Sequence, residues 1–147
     1  MTEVAFHFNA PDRLGYACRL LRKAYLKGAR LQVLADNGLA AALDQQLWLL
    51  SGVEFVPHCR SDAPGDVRER SPIVIGSGPA APQDPDVVLV NLSDAWPEGY
   101  ERFARVIEVV TAEPSVRALA RDRWKAYKAA GLEPLHLDLG AVGAERA

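Results

Sequence analysis

The segment from Val4 to Ala35 constrains the fold of this chain more than any other. Val4-Ala-Phe-His-Phe8 is a short apolar run rich in strand-forming residues, and Asn9-Ala-Pro-Asp12 breaks it. From Arg13 to Lys27 the pattern turns helical. Leu14, Ala17, Cys18, Leu21, Ala24 and Tyr25 form an apolar stripe, Arg19, Arg22, Lys23 and Lys27 lie mostly outside it, and Gly28 stops it. Leu31-Gln-Val-Leu-Ala35 is a second strand. Strand, helix and strand make a βαβ unit, which requires parallel strands and a right-handed crossover.

The rest of the chain continues this alternation. Asp36-Asn37-Gly38 precedes a helix from about Leu39 to Trp48, and Val53-Glu-Phe-Val56 reads as a short strand ended by Pro57. Residues 57–71 are polar and carry Pro and Gly, so a loop is expected there, and a second loop is expected over 76–85. Between them Pro72-Ile-Val-Ile75 is a strand, and Val87-Val-Leu-Val-Asn91 is a continuous apolar run suited to a strand buried on both faces. Residues 100–110 fit a helical turn that leads into a strand, and Leu135-His-Leu-Asp-Leu139 alternates as a last edge strand or tail. No internal repeat or linker divides the chain. The expectation is one α/β domain over residues 1–147: a three-layer, Rossmann-like sheet of mostly parallel strands with helices on both faces.

Several function classes are disfavoured. Gly76-Ser77-Gly78 follows a strand, but Pro79 and a run of Ala and Pro replace the Gly-Lys-Ser/Thr of a phosphate loop and the third Gly of a dinucleotide site. Ser77 lies between Ile75 and Pro79 and so fails the nucleophile-elbow pattern. His7, His58 and His136 are scattered, without a partner at ligand spacing. His58-Cys59 is a weak metal motif better read as a loop end, Asp84-Pro85-Asp86 reads as a solvated turn, and His136-Leu-Asp138 as an edge or tail. No nucleophile–base or paired-carboxylate set emerges, so no catalytic residue, metal or cofactor is expected. The formal net charge of -2 argues against a general nucleic-acid binder. No apolar run approaches a membrane span, the N-terminus lacks the features of a secretory signal, and Cys18 and Cys59 sit in unrelated contexts. A reduced, cytoplasmic protein is expected.

One helix does carry chemistry. Pro114 opens it at the first turn and Gly131 ends it. At about 100° per residue, Arg117, Arg121, Trp124 and Lys128 share a face, with Lys125 on its edge. Val116, Leu119, Ala120, Ala126, Tyr127 and Ala130 are expected on the other side. Trp124 falls between the two faces, so part of its indole is expected to be presented. The cations are uncompensated at i+4, unlike a face built for solubility alone. An arginine fork beside an apolar pocket suits a C-terminal carboxylate whose last side chain is apolar. Arg123 points into the apolar arc and is expected to pair with a buried acid or to snorkel.

These residues resemble the chi subunit of bacterial DNA polymerase III holoenzyme over most of the chain. The resemblance is carried by Val4–Phe8, Leu47-Trp48, Phe55-Val56-Pro57-His58, Val87–Asn91 and, most specifically, Leu119-Ala-Arg-Asp-Arg-Trp-Lys-Ala-Tyr-Lys-Ala-Ala-Gly131. It implies an α/β fold like that of nucleotide-binding domains, without nucleotide chemistry or intrinsic activity. It further implies an adaptor in DNA replication that binds the acidic, Phe-terminated tail of single-stranded DNA-binding protein and joins the clamp loader through a small partner, psi. A helicase partner competes for the psi site in this family. The resemblance places the tail site at Arg121, Trp124, Lys125 and Arg117 with Val110 as a pocket wall, and Lys128 extends the basic face. It places the psi surface around Leu47, Trp48, Phe55 and Val56, whose alternative reading is core. The family commonly has Tyr where Trp124 stands, so the stacking surface is kept and a hydroxyl is lost. Two rival readings remain: direct single-strand binding, with bases stacked on Trp124, and a nucleotide-binding enzyme with a degenerate loop at Gly76.

Overall fold

Asp12, two residues past the first strand, caps the first helix in the computed structural model, which describes residues 2–49, 56–77 and 86–139. Its carboxylate accepts a hydrogen bond from the Gly15 amide at 3.1 Å, satisfying one of the free donors at the helix start. Strand β1 spans Glu3–Ala10 and helix α1 Arg13–Leu26; β2 spans Leu31–Leu34 and α2 Asn37–Leu49. Then come β3 (Cys59–Arg60), α3 (Gly65–Arg70), β4 (Ile73–Gly76) and β5 (Val88–Asn91). A single 3₁₀ turn at Tyr100–Arg102 leads into β6 (Arg105–Thr111), followed by α4 (Pro114–Ala129) and β7 (Leu135–Asp138).

The strands form one sheet in the order β3-β4-β2-β5-β6-β1-β7, and every pairing is parallel. Because strand side chains alternate, the two faces of the sheet bury different helices. Ile107 and Val109 of β6 join α1 and α2 residues such as Ala17, Leu21, Leu43 and Leu47. Val106 and Val110 join Val116, Ala120 and Tyr127 of α4, with Val4 and Phe6 of β1. The expected α/β fold with helices on both faces is therefore observed, with all strands parallel.

Three details depart from the sequence reading. The loop expected over 57–71 contains β3 and α3. Cys59 pairs with Val74, and Ser61 N donates to Ile75 O at 2.8 Å, so the short strand exists only through its long-range partner. Helix α3 buries no residue and so has no apolar stripe to betray it, while Asp66 in its first turn and Arg68 and Arg70 in its last suit the helix dipole. Of the strand expected at Val53–Val56, residues 53–55 lie outside the described residues and Val56 is not in a strand. The loop expected over 76–85 begins later, because Gly76 is the last residue of β4; residues 78–85, with Asp84 and Pro85, lie outside the described residues. A Cβ at Gly76 would sit 2.5 Å from Ser61 Oγ, so this glycine lets Ser61, just past the edge strand β3, approach β4.

Candidate peptide-binding site

Helix α4 starts at Pro114 and stops where Gly131 takes a left-handed φ of 90°. Its buried stripe is Val116, Ala120, Arg123 and Tyr127. This corrects the expected apolar side: Leu119 is 44% exposed, and Ala126 and Ala130 are exposed as well. The helix is turned so that Arg123 and Tyr127, rather than Leu119, face the sheet.

The reason is a buried polar network. Glu108, in the middle of β6, is fully buried, and Arg123 is 4% exposed. Arg123 Nε donates to Glu108 Oε1 at 3.1 Å, Asn91 Nδ2 donates to the same oxygen at 3.0 Å, and Tyr127 Oη donates to Oε2 at 2.8 Å. Burial pushes the Glu108 carboxyl up, against the pull of the Arg123 charge and of the three donors. Burial also raises the Tyr127 hydroxyl, and the facing carboxylate adds to this. Arg123 Nη1 donates to Asp94 O at 2.9 Å, and Asp94 Oδ1 accepts from Arg13 at 3.1 Å. The expectation that Arg123 pairs with a buried acid is met. The acid itself was legible as the one charge inside Val106-Ile-Glu-Val-Val110.

With α4 so oriented, its exposed face closes a pocket of about 310 Å³ against the sheet. Phe6, Phe8, Val110, Arg117, Ala120, Arg121, Trp124 and His136 line it. The Trp124 ring, half-buried, lies 5.0 Å from Phe6 and 6.2 Å from His136, centroid to centroid. Four residues placed at the tail site by the sequence, Arg117, Arg121, Trp124 and Val110, meet in this pocket. Lys125 and Lys128 are exposed on the same helix but do not line it. Arg117, Arg121, Lys125 and Lys128 form no ion pair among the described residues. A greasy, aromatic floor under two free guanidinium groups can hold an apolar side chain attached to a carboxylate.

Sequence reasoning missed Phe6, Phe8, Ala120 and His136. Phe6 and Phe8 share a face of β1 by alternation, a signal that was present. His136 was not legible, because its place depends on β7 pairing beside β1 with Phe6 opposite His136. Asn9 supports that pairing. It takes a left-handed φ of 61° at an irregularity in β1, and its side-chain amide donates to Asp138 Oδ1 at 2.8 Å.

The second expected surface divides. Leu47 and Val56 are core residues, 0% and 1% exposed, so their side chains offer a partner no area; this corrects their placement on an interface. Leu47 sits on the inner stripe of α2 with Ala40 and Leu43. Trp48 is 55% exposed, and its ring edge meets His58 at 5.2 Å. Phe55 lies outside the described residues. His58 is engaged structurally: Nδ1 lies 2.7 Å from Val56 O and Nε2 lies 3.2 Å from Asp44 O. Among the described residues no group of three or more His, Cys, Asp or Glu could hold a metal, and no helix is long and apolar enough to cross a membrane.

With this geometry in place, the chain can be set beside known proteins. The family described as DNA polymerase III chi subunit, HolC, matches residues 1–134. The DNA polymerase III subunit chi of Pseudomonas aeruginosa is 32% identical over 136 residues, covering 89% of this chain and 92% of that protein. The subunit chi of Escherichia coli is 28% identical over 116 residues, covering 78% of this chain and 77% of the relative. Among solved structures, the C-terminal domain of the DEAD-box protein Dbp5 superposes with a TM-score of 0.62 at 14% identity, covering 95% of this chain and 91% of that domain. That last likeness concerns the fold alone.

Proposed function

This chain belongs to the DNA polymerase III chi subunit family, and from that premise we propose that it is a non-catalytic adaptor which ties the clamp loader to protein-coated single-stranded DNA. The proposed ligand is the acidic, Phe-terminated C-terminal tail of single-stranded DNA-binding protein. One observation carries the reading: Arg117 and Arg121 stand over a pocket floored by Phe6, Phe8 and Val110 and walled by Trp124. The terminal carboxylate sits on Arg121, the Phe side chain enters the pocket, and upstream acidic residues meet Arg117, Lys125 and Lys128. A charge-assisted bond to a guanidinium contributes about 1.5–3 kcal/mol. Psi or a competing helicase is proposed to dock at the α2 end that displays Trp48, and the adaptor is proposed to work in the cytoplasm at replication forks.

The test is fluorescence anisotropy with a labelled acidic peptide ending in Phe, prepared with a free and with an amidated C-terminus. The free acid is expected to bind, and both amidation and Arg121→Ala are expected to weaken it by about 10- to 100-fold. Equal binding of acid and amide sinks the carboxylate assignment. Tighter binding of an oligothymidine than of the peptide would favour direct single-strand binding instead.

A further inference from the structure

The three histidines of this chain have different fates. His7 Nδ1 is 2.6 Å from the Tyr16 hydroxyl, and both ring nitrogens of His58 face backbone oxygens. His136 is exposed, lines the pocket, and neither of its nitrogens has a hydrogen-bond partner among the described residues. Its ring is nevertheless held in place. It leans on Phe8 at 5.3 Å with a 32° interplanar angle, and faces Trp124 across 6.2 Å. The register of β7 on β1 sets it beside Phe6, and the Asn9–Asp138 hydrogen bond fastens the strand two residues later. It is a packed ring whose nitrogens have no hydrogen-bond partner among the described residues, in the lining of a pocket that Arg117 and Arg121 also line.

We propose that His136 is a specificity-determining residue of this pocket: its ring, packed beside Phe8 and Trp124, extends the aromatic lining that selects an aromatic last side chain, and its ring N–H donates to an oxygen of the bound acidic peptide. This assignment rests on the tail-binding reading above and adds a contact from β7 to those from α4. This continuous aromatic lining gives the pocket a preference for a flat ring over a small or branched side chain, because ring–ring contacts add to area burial. The N–H supplies polar anchoring on the side of the pocket that α4 does not reach.

The experiment compares anisotropy binding of two free-acid acidic peptides, one ending in Phe and one in Ala, to the full chain and to His136→Ala, His136→Phe and Arg121→Ala. His136→Ala is expected to weaken the Phe-ended peptide by about 3- to 10-fold and the Ala-ended peptide less, by the loss of the N–H contact alone, so that the preference for Phe narrows. His136→Phe is expected to restore the preference for Phe but not the full affinity, since the ring returns without its N–H. His136→Ala binding both peptides like the wild type, while Arg121→Ala fails to bind, overturns the role of His136 and leaves the tail-binding reading standing. Equal losses on both peptides overturn the selecting role of the ring in the same way. If the wild-type chain binds neither peptide, the tail-binding reading falls, and this proposal with it.

Discussion

Arg123 Nε lies 3.1 Å from Glu108 Oε1 with both side chains out of solvent, so the helix that carries the proposed binding face is pinned to the sheet by a charge pair. Arg121 and Trp124 flank Arg123 in the chain, and their outward direction follows from its inward one. Removing Arg123 strands the Glu108 carboxylate in the core. Arg123→Ala is expected to cost about 3–5 kcal/mol in urea denaturation. The double variant Glu108→Gln/Arg123→Met is expected to be less destabilised than Arg123→Ala, because no unpaired charge remains. A double variant worse than the single would contradict this account.

Arg121 is exposed and unpaired among the described residues, so its loss should touch binding and spare the fold. Arg121→Ala is expected to keep the wild-type thermal midpoint while losing the acidic peptide. Arg121→Lys is expected to recover little, since an ammonium cannot form the two-pronged carboxylate contact. Raising salt from 0.1 to 1 M, which shortens the screening length from about 10 to about 3 Å, should weaken the peptide without abolishing it. Complete insensitivity to salt would remove the acidic contacts from the reading.

Trp124 belongs to both the core and the pocket lining, with its ring against Phe6 at 5.0 Å. Trp124→Ala is expected to weaken peptide binding by at least about tenfold, as a buried aromatic anchor would. Trp124→Tyr should retain most of the affinity, since a ring of the same kind remains. Anisotropy of the labelled peptide with each of the two variants separates these outcomes.

His7 gives the fold an acid sensitivity of known sign. Burial, with the Arg105 charge adding to it, lowers its pKa from 6.5 to about 4. The neutral ring is therefore the form that the fold favours. The stability this contributes is full above pH 6.5 and is lost as pH falls through 6.5 towards 4, by on the order of 2 kcal/mol after allowance for solvent screening. His7→Gln should flatten that part of the stability–pH curve measured by urea denaturation. An unchanged slope would assign the acid sensitivity to other groups.

Gly76→Ala tests the sheet edge. The new Cβ would lie 2.5 Å from Ser61 Oγ and 2.7 Å from Ser61 Cβ; the hydroxyl can rotate away but the Cβ, fixed to the backbone, cannot. A loss of about 1–3 kcal/mol is expected, as for other overpacked positions, with faster amide exchange at Ser61. Adding Ser61→Gly should recover most of it.

Much of the fold was legible because helices and strands declare themselves locally. Residues two, three or four apart share a face, so the βαβ opening, the strand at Val88–Asn91, the turn before β6 and the basic helix could all be read from spacing. The same rule put Arg117, Arg121 and Trp124 on one side and marked Arg123 as a cation in need of an acid. What spacing could not supply was the set of partners. Helix α3 and strand β3 have no apolar period, and β3 exists through its pairing with β4. Leu119 faces out because the Arg123–Glu108 pair turned the helix, a contact between residues fifteen apart.

The sequence by itself determined the order of the main elements apart from β3 and α3, the parallel α/β class and a helix with a cationic, aromatic face. The tertiary structure alone decided that Glu108 answers Arg123, that Leu47 and Val56 belong to the core, and that Phe8 and His136 line one pocket with Trp124. The physical reason is range. Local periodicity is written in neighbouring residues, whereas strand order is settled by which faces the whole chain can bury together. His136 reaches the site only because β7 crosses over from β6 to pair with the first strand of the chain.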